Sequence, residues 1–302
     1  MSRRRPREIT PKKLLSLWLA YTEFRKPQIT YSTLTKDYAK IRRILEAKLP
    51  PNLTTSIEIR DWVRSTYSAE SARRIIQQFN ACCEWAFDSD LYPSSPFTGM
   101  NRQFRKVTNG VDNYKAFTVE ERDVIITRFT ELQSYYTPWV KFLFWTGCRP
   151  EEASGLRWEH VRPNFSEIHF KVSFRCDVKK EQPTKNKRER WFPCHDRLIN
   201  LLRSQYPGYR DIALPVFPGA EGGHLEYHNF QTRHWLPIVQ ELVEEQKVFE
   251  YMTQYHCRHT WITLALEEGF SIQDVAYLAG DTPRVIWDHY ASRSKVKVKP
   301  DF

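Results

Sequence analysis

No apolar run in this chain approaches the roughly 18–20 residues that a bilayer crossing requires, although 41% of its 302 residues are hydrophobic. Its first residues, Met1-Ser2-Arg3-Arg4-Arg5-Pro6, hold no apolar stretch of the kind a secretory signal needs. A cytoplasmic, nucleoid-associated location without membrane contact is therefore expected. None of the six cysteines, Cys82, Cys83, Cys148, Cys176, Cys194 and Cys257, stands in a C-x-x-C pair. Free, mostly buried thiols are expected. His256, Cys257 and His259 crowd too closely for a usual zinc site, and no second pair has ligand spacing. No metal and no cofactor are expected. Internal repeats and low-complexity tracts are missing as well.

What is present is positive charge, unevenly spread. The net charge is +10. Residues 1–113 carry 20 Lys and Arg against 11 Asp and Glu, and the remainder 26 against 25. A basic first third points to a polyanionic partner; a merely solvated basic surface is the bland alternative.

Helix signals divide the chain. Thr10-Pro11 marks a start, with Thr10 as N-cap and Leu14, Leu15, Leu17, Trp18 and Tyr21 as the apolar stripe. Further helices are predicted over Ser32–Lys48, Ser56–Thr66 and Ala69–Asp88, which makes a small bundle. Pro93, Pro96 and Gly99 break the pattern. The expected boundaries are a helical domain at 1–98, a polar linker at 99–114 and a second domain at 115–302. Thr118 and Glu121 open the latter with a capping-box pattern. Ile168, Phe170, Val172 and Phe174 alternate as in one half-buried strand, and Arg190-Trp191-Phe192-Pro193 reads as its returning partner. Between them, Gln182-Pro183-Thr184-Lys185-Asn186-Lys187 reads as a polar turn. The fold class is thus mainly α with a small antiparallel β-sheet.

Three segments carry candidate chemistry. Arg149 precedes Pro150, Glu151 and Glu152, which puts it at a helix N-terminus where backbone N–H groups favour anions. It either binds an anion through its planar fork or pairs with Glu151 or Glu152 at the surface. Tyr255 and Arg258, three apart, share one face of a helix predicted to run from Tyr255 to Glu268. So near the start of an apolar helix, Arg258 requires an anionic partner, either an internal carboxylate or a bound phosphate. His259 reads as a hydrogen-bonded structural residue. Ser271 caps another helix that Gly280 ends, and Thr282-Pro283 begins the next, which carries Tyr290 towards its far end.

The set Thr146-Gly147-Cys148-Arg149-Pro150-Glu151-Glu152, then Thr184-Lys185 before a strand ending in Pro193, then Tyr255-x-x-Arg258-His259-Thr260, then Leu278-Ala279-Gly280, then Tyr290, resembles the tyrosine recombinase (phage integrase) family. The resemblance covers roughly residues 10–295. It implies an N-terminal helical core-binding domain joined to an α+β tyrosine recombinase catalytic domain. It also implies cleavage and rejoining of DNA through a 3′-phosphotyrosine, without metal or ATP. By the same resemblance Arg149 and Arg258 clamp the scissile phosphate, Lys185 protonates the departing 5′ oxygen, and Tyr290 attacks phosphorus. Glu152 matches a supporting acidic position. Tyr255 stands where the family usually has histidine; it donates a hydrogen bond to the phosphate, with His256 as a compensating neighbour. Asp281 stands where histidine or tryptophan is usual, and it either supports the site or caps the helix at Pro283. Candidate DNA contacts are Lys36, Lys40, Arg42, Arg43, Arg73, Arg74, Arg102, Arg105 and Lys106. The implied partner is double-stranded DNA, with a homo-tetramer on paired sites working through a Holliday junction, and a monomer or weak oligomer off DNA. A type IB topoisomerase-like enzyme and a non-catalytic, recombinase-derived DNA-binding protein are the competing expectations. The tail, with Lys295, Lys297 and Lys299 alternating with Val296 and Val298, is either a strand for a neighbour to accept or a frayed end.

Overall fold

Thr10 and Pro11 start the first helix through the groups they bring. The Thr10 hydroxyl accepts from the Lys13 amide at 3.3 Å, and Pro11 fills a turn in which its missing N–H costs nothing. A computed structural model describes residues 8–104, 114–184, 188–208 and 211–290. Lys185, Arg105, Lys106 and the tail lysines lie outside the described residues. The chain forms two compact units, divided between residues 110 and 111.

The first unit is helical: α1 (Pro11–Arg25), a π-helical turn (Thr33–Tyr38) running straight into α2 (Ala39–Ala47), α3 (Ser56–Thr66) and α4 (Ala69–Asp88). Thr55 and Glu58 close a capping box on α3, with bonds of 3.2 and 3.0 Å. A box of this kind is worth about 1 kcal/mol. Leu14, Trp18, Ile59, Val63, Ile76 and Phe79 are completely or almost completely enclosed in its core. The stretch from residue 99, expected as linker, begins inside this unit. Met100–Gln103 form a 3-10 turn, and Met100 and Phe104 bury in the same core as Phe97. Two apolar side chains there outweigh the polar composition around them.

The second unit opens with the expected capping box, in which Thr118 and Glu121 exchange bonds of 3.1 and 2.8 Å. Its helices are α5 (Val119–Glu131), α6 (Thr137–Thr146), α7 (Pro150–Ser154), α8 (Asp196–Gln205), α9 (Tyr227–Phe230), α10 (Leu236–Glu244), α11 (His256–Glu267), α12 (Ile272–Ala279) and α13 (Pro283–Tyr290). None of the described helices is long and apolar enough to cross a membrane. Between α7 and α8 lie β1 (Glu167–Phe170), β2 (Val172–Arg175), β3 (Lys180–Pro183) and β4 (Arg190–Pro193). The alternation over 168–174 is therefore two strands rather than one, divided at Lys171. β1 pairs antiparallel with β4 (Ile168 opposite Phe192), and β2 with β3 (Val172 opposite Pro183). Gln182 and Pro183, read as turn, belong to β3. Its polar composition hid it, because Lys180–Pro183 has no buried face to produce an alternating pattern.

A main core under α5, α6 and α10 fills this unit, and a smaller cluster fastens α11, α12 and α13 together. Ile262, Leu266, Val275 and Ile286 are fully enclosed in the smaller cluster. Each contributes about 1.5–3 kcal/mol to holding those helices together. All six cysteines are free; four are buried, and Cys176 and Cys194 are partly exposed.

Candidate active site

The last carbonyls of α12 have no partner inside the helix. Gly280 ends α12 at φ +69°, and the amides of Gly280 and Asp281 turn back to the carbonyls of Tyr277 and Ala276. This leaves the carbonyls of Leu278, Ala279 and Gly280, at the negative end of the helix dipole. Three arginines take them in turn. Arg190 donates from Nε to Leu278 (2.7 Å), Arg258 from Nη1 to Ala279 (2.6 Å), and Arg149 from Nη1 to Gly280 (3.0 Å). Arg258 Nη1 also reaches the Gly147 carbonyl at 2.8 Å, across the turn between α6 and α7.

Burying guanidinium groups demands compensating charge. Glu152, 1% exposed, supplies part of it. Its two oxygens take Arg190 at 3.1 and 2.8 Å, Arg149 Nη1 at 3.1 Å and the Arg149 amide at 3.0 Å. Burial alone would raise the carboxyl's pKa. Arg190, Arg149 and Arg258 override that and hold it at about 2. Arg149 is thus paired with Glu152, as one expectation had it, yet it is buried rather than at the surface.

Asp281 supplies the rest. Its Oδ2 lies 2.8 Å from Arg258 Nη2 and 3.4 Å from Arg149 Nη2. The two residues therefore turn their outer nitrogens towards one anionic oxygen. Asp281 does not cap α13. Thr282 does, accepting from the Val285 amide at 3.2 Å, because the arginines hold the Asp281 carboxylate on their own side.

Tyr290, at the end of α13, is buried in the small cluster with Ile286. Its hydroxyl meets His259 Nδ1 at 2.5 Å. Burial raises the phenol's pKa, and Arg258 partly opposes this. His259 is pushed down to about 3, by burial first and then by His256, Arg258 and His289. In the neutral tautomer that carries its proton on Nε2, Nδ1 accepts from the phenol. Tyr114 lies over the group, its ring centroid 4.4 Å from His259, 4.5 Å from His289 and 5.5 Å from Tyr290.

Tyr255 stands just before α11, 37% exposed, with its ring edge-on to His259 at 5.3 Å. His256 directs Nδ1 to Thr253, 3.1 Å from its hydroxyl, and packs edge-on to His259 at 5.1 Å. In the first unit, Lys36, Lys40, Arg42, Arg43, Arg74 and Arg102 are exposed and Arg73 is half-buried. Arg42 pairs with Glu46 at 2.7 Å, and Arg73 and Arg74 both pair with Glu70 at 2.9 Å.

A scan against protein families matches residues 117–295 to the phage integrase family. The chain belongs to the phage integrase family. No curated protein matches it in sequence. The Tn1549 transposon integrase, solved with transposon right end DNA, shares the fold with a TM-score of 0.75 and 14% identity over 93% of this chain and 95% of that one. A lambda integrase dimer bound to a core site gives 0.69 and 12% over 97% and 81%. A lambda integrase tetramer bound to a Holliday junction gives 0.66 and 12% over 91% and 78%.

Within this integrase fold, sequence reading missed Arg190 and Tyr114. Arg190 shares the inward face of β4 with Phe192, an unusual place for a cation, and its guanidinium lies over the Phe170 ring at 4.4 Å. An arginine at an inward position of an alternating strand is the available signal. Gly280 is constrained from the same side. A Cβ there would lie 2.5 Å from Arg190 Nη1, on a backbone that side chains rarely adopt. Gly280→Ala is expected to lose about 1–3 kcal/mol from the backbone alone, with a further loss from displacing Arg190. Thermal unfolding of the purified variant checks it.

Proposed function

We propose that this chain is a site-specific DNA recombinase that breaks and rejoins strands through a 3′-phosphotyrosine, using neither metal nor nucleotide. The observation that carries this reading is the meeting of Arg149 Nη2 and Arg258 Nη2 at one carboxylate oxygen of Asp281. Two outer guanidinium nitrogens aimed at a single anionic oxygen match the needs of a phosphodiester. The scissile phosphate takes the place of that carboxylate, and Asp281 turns away.

Tyr290 then attacks phosphorus. A phenol with a raised pKa needs its developing charge stabilised, and the cationic cage does this in a site shielded from water. The 5′ oxygen leaves with a proton from Lys185, since an unprotonated alkoxide is a poor leaving group. Glu152 keeps Arg149 and Arg190 in position, and Tyr255 donates to a phosphate oxygen, with His256 beside it. Asp281 holds the arginines until DNA arrives. The basic residues of the first unit, Lys36, Lys40, Arg42, Arg43, Arg73, Arg74 and Arg102, together with Arg105 and Lys106, contact the duplex backbone. Exposed ion pairs such as Arg42–Glu46 are worth only about 0–1 kcal/mol, so phosphate displaces the carboxylate readily. Binding on these terms weakens steeply with salt. Four protomers on two sites exchange strands through a Holliday junction, a reading supported by the lambda integrase tetramer solved on such a junction.

The test uses a pool of nicked duplexes with randomised sequence around the nick, so that cleavage releases a short fragment and traps the protein on DNA. Covalent adducts enriched in one sequence, with the linkage mapped to Tyr290 by peptide mass spectrometry, are expected. Absence of any adduct from a pool that the protein binds would favour the non-catalytic reading, which Asp281 in the anion slot supports. Relaxation of plasmids regardless of sequence would favour a topoisomerase.

A further inference from the structure

His259 is not among the residues to which the preceding mechanism gives a role, yet it is the residue that the Tyr290 hydroxyl touches. We infer that His259 is the proton acceptor for Tyr290 during strand cleavage, and the donor that returns the proton during rejoining. The inference rests on the phosphotyrosine reading and adds the base that reading lacks.

The geometry supplies the argument. The hydroxyl-to-Nδ1 distance is 2.5 Å, within reach of direct transfer. With Nδ1 accepting, the ring proton sits on Nε2, the tautomer that leaves Nδ1 open. The ring has little freedom to move. His259 is 8% exposed, stacked under Tyr114 at 4.4 Å and flanked edge-on by His256 and Tyr255. It directly follows Arg258 on α11, so the group holding the phosphate and the group facing the nucleophile are neighbours on one rigid element. The residue three before Arg258, Tyr255, carries a hydroxyl in place of an imidazole.

The step balances. As the Tyr290 oxygen bonds to phosphorus, its hydrogen passes to Nδ1 and the bond from phosphorus to the 5′ oxygen breaks. That oxygen takes its own proton from the general acid. On rejoining, the imidazolium returns the proton to the departing phenolate. The groups facing the ring are Arg258 and His256 on α11, His289 on α13, and Tyr114, Tyr255 and Asp281. Burial first, and then His256, Arg258 and His289, disfavour a charged imidazole before reaction and hold its pKa at about 3. His259 is therefore neutral before reaction, with Nδ1 unprotonated but only weakly basic until the phosphate arrives. The phosphate's negative charge, arriving beside Arg258, strengthens it as a base.

The experiment measures single-turnover cleavage, across pH, of the nicked duplex recovered from the randomised pool, by wild type, His259→Ala and His259→Asn. Asparagine still accepts a hydrogen bond but takes no proton, and it guards against loss of fold in the alanine variant. Both variants are expected to cleave about 10²- to 10⁴-fold more slowly near neutral pH while binding the same DNA. Their rates should climb towards wild type as rising pH ionises the phenol without help. Added imidazole should restore His259→Ala. An asparagine variant as fast as wild type, or either variant faster than it, overturns the inference, because the contact would then only position or park the tyrosine. A wild type that forms no adduct overturns the phosphotyrosine reading and this inference with it; variants that keep pace with a reactive wild type overturn this inference alone.

Discussion

Tyr290→Phe is expected to abolish covalent attachment to DNA, by on the order of 10⁴-fold or more, while DNA binding persists. Phenylalanine keeps the ring that packs with Ile286 in the α11–α13 cluster and deletes only the oxygen. The cage formed by Arg149, Arg258, Arg190 and Glu152 does not hydrogen-bond to that oxygen, so its affinity for a phosphate stays. The lost hydroxyl leaves His259 Nδ1 buried without its donor. That costs about 1–3 kcal/mol of stability, visible as a lower melting temperature without loss of fold. Denaturing gels on trapped substrate read the first effect, gel-shift titration the second and calorimetry the third. Covalent product of normal yield from the variant would remove Tyr290 from its role, and another tyrosine, with Tyr255 first in line, would have to be mapped.

Glu152→Ala should give the largest loss of stability of any single change at the site, about 3–5 kcal/mol. The carboxylate is 1% exposed and meets Arg190 through both oxygens and Arg149 through side chain and backbone. Without it, two buried guanidinium groups keep their carbonyl partners on α12 but lose their shared counter-charge. The Arg190 side chain is only 2% exposed. Glu152→Gln keeps an acceptor of the same shape, so its loss should be smaller. The pH dependence separates charge from packing. The folded pKa is about 2, and the unfolded value is about 4.3. The charge contribution is complete above the unfolded value and disappears as pH falls from about 4 towards 2. The gap in stability between wild type and Glu152→Gln should therefore narrow in acid. Because the chain has two units, the comparison is made on the calorimetric transition of the second unit rather than on a single two-state value. A gap that stays constant down to pH 3 would mean that shape, not charge, holds the arginines.

What sequence alone determined here is local. Thr10 and Pro11, Thr118 and Glu121, Ser271 and Gly280 each act within a few residues of themselves, so helix starts and stops were readable from the chain. The predicted Ser56–Thr66 and Ala69–Asp88 helices match the structure for the same reason. The ordered motifs identified the family, because spacing along a chain survives where overall identity does not. Only the tertiary structure decided what those residues meet. The carbonyls of Leu278, Ala279 and Gly280 become receptors for Arg190, Arg258 and Arg149 because elements far apart in sequence pack together. Asp281 could have capped α13, and its neighbour Thr282 does so instead, since two guanidinium groups attract a carboxylate more strongly than one backbone amide. The polar strand β3 and the junction of His259 with Tyr290 left no periodic mark either. Long-range pairing depends on which surfaces exclude water from one another, and no window of sequence contains both surfaces.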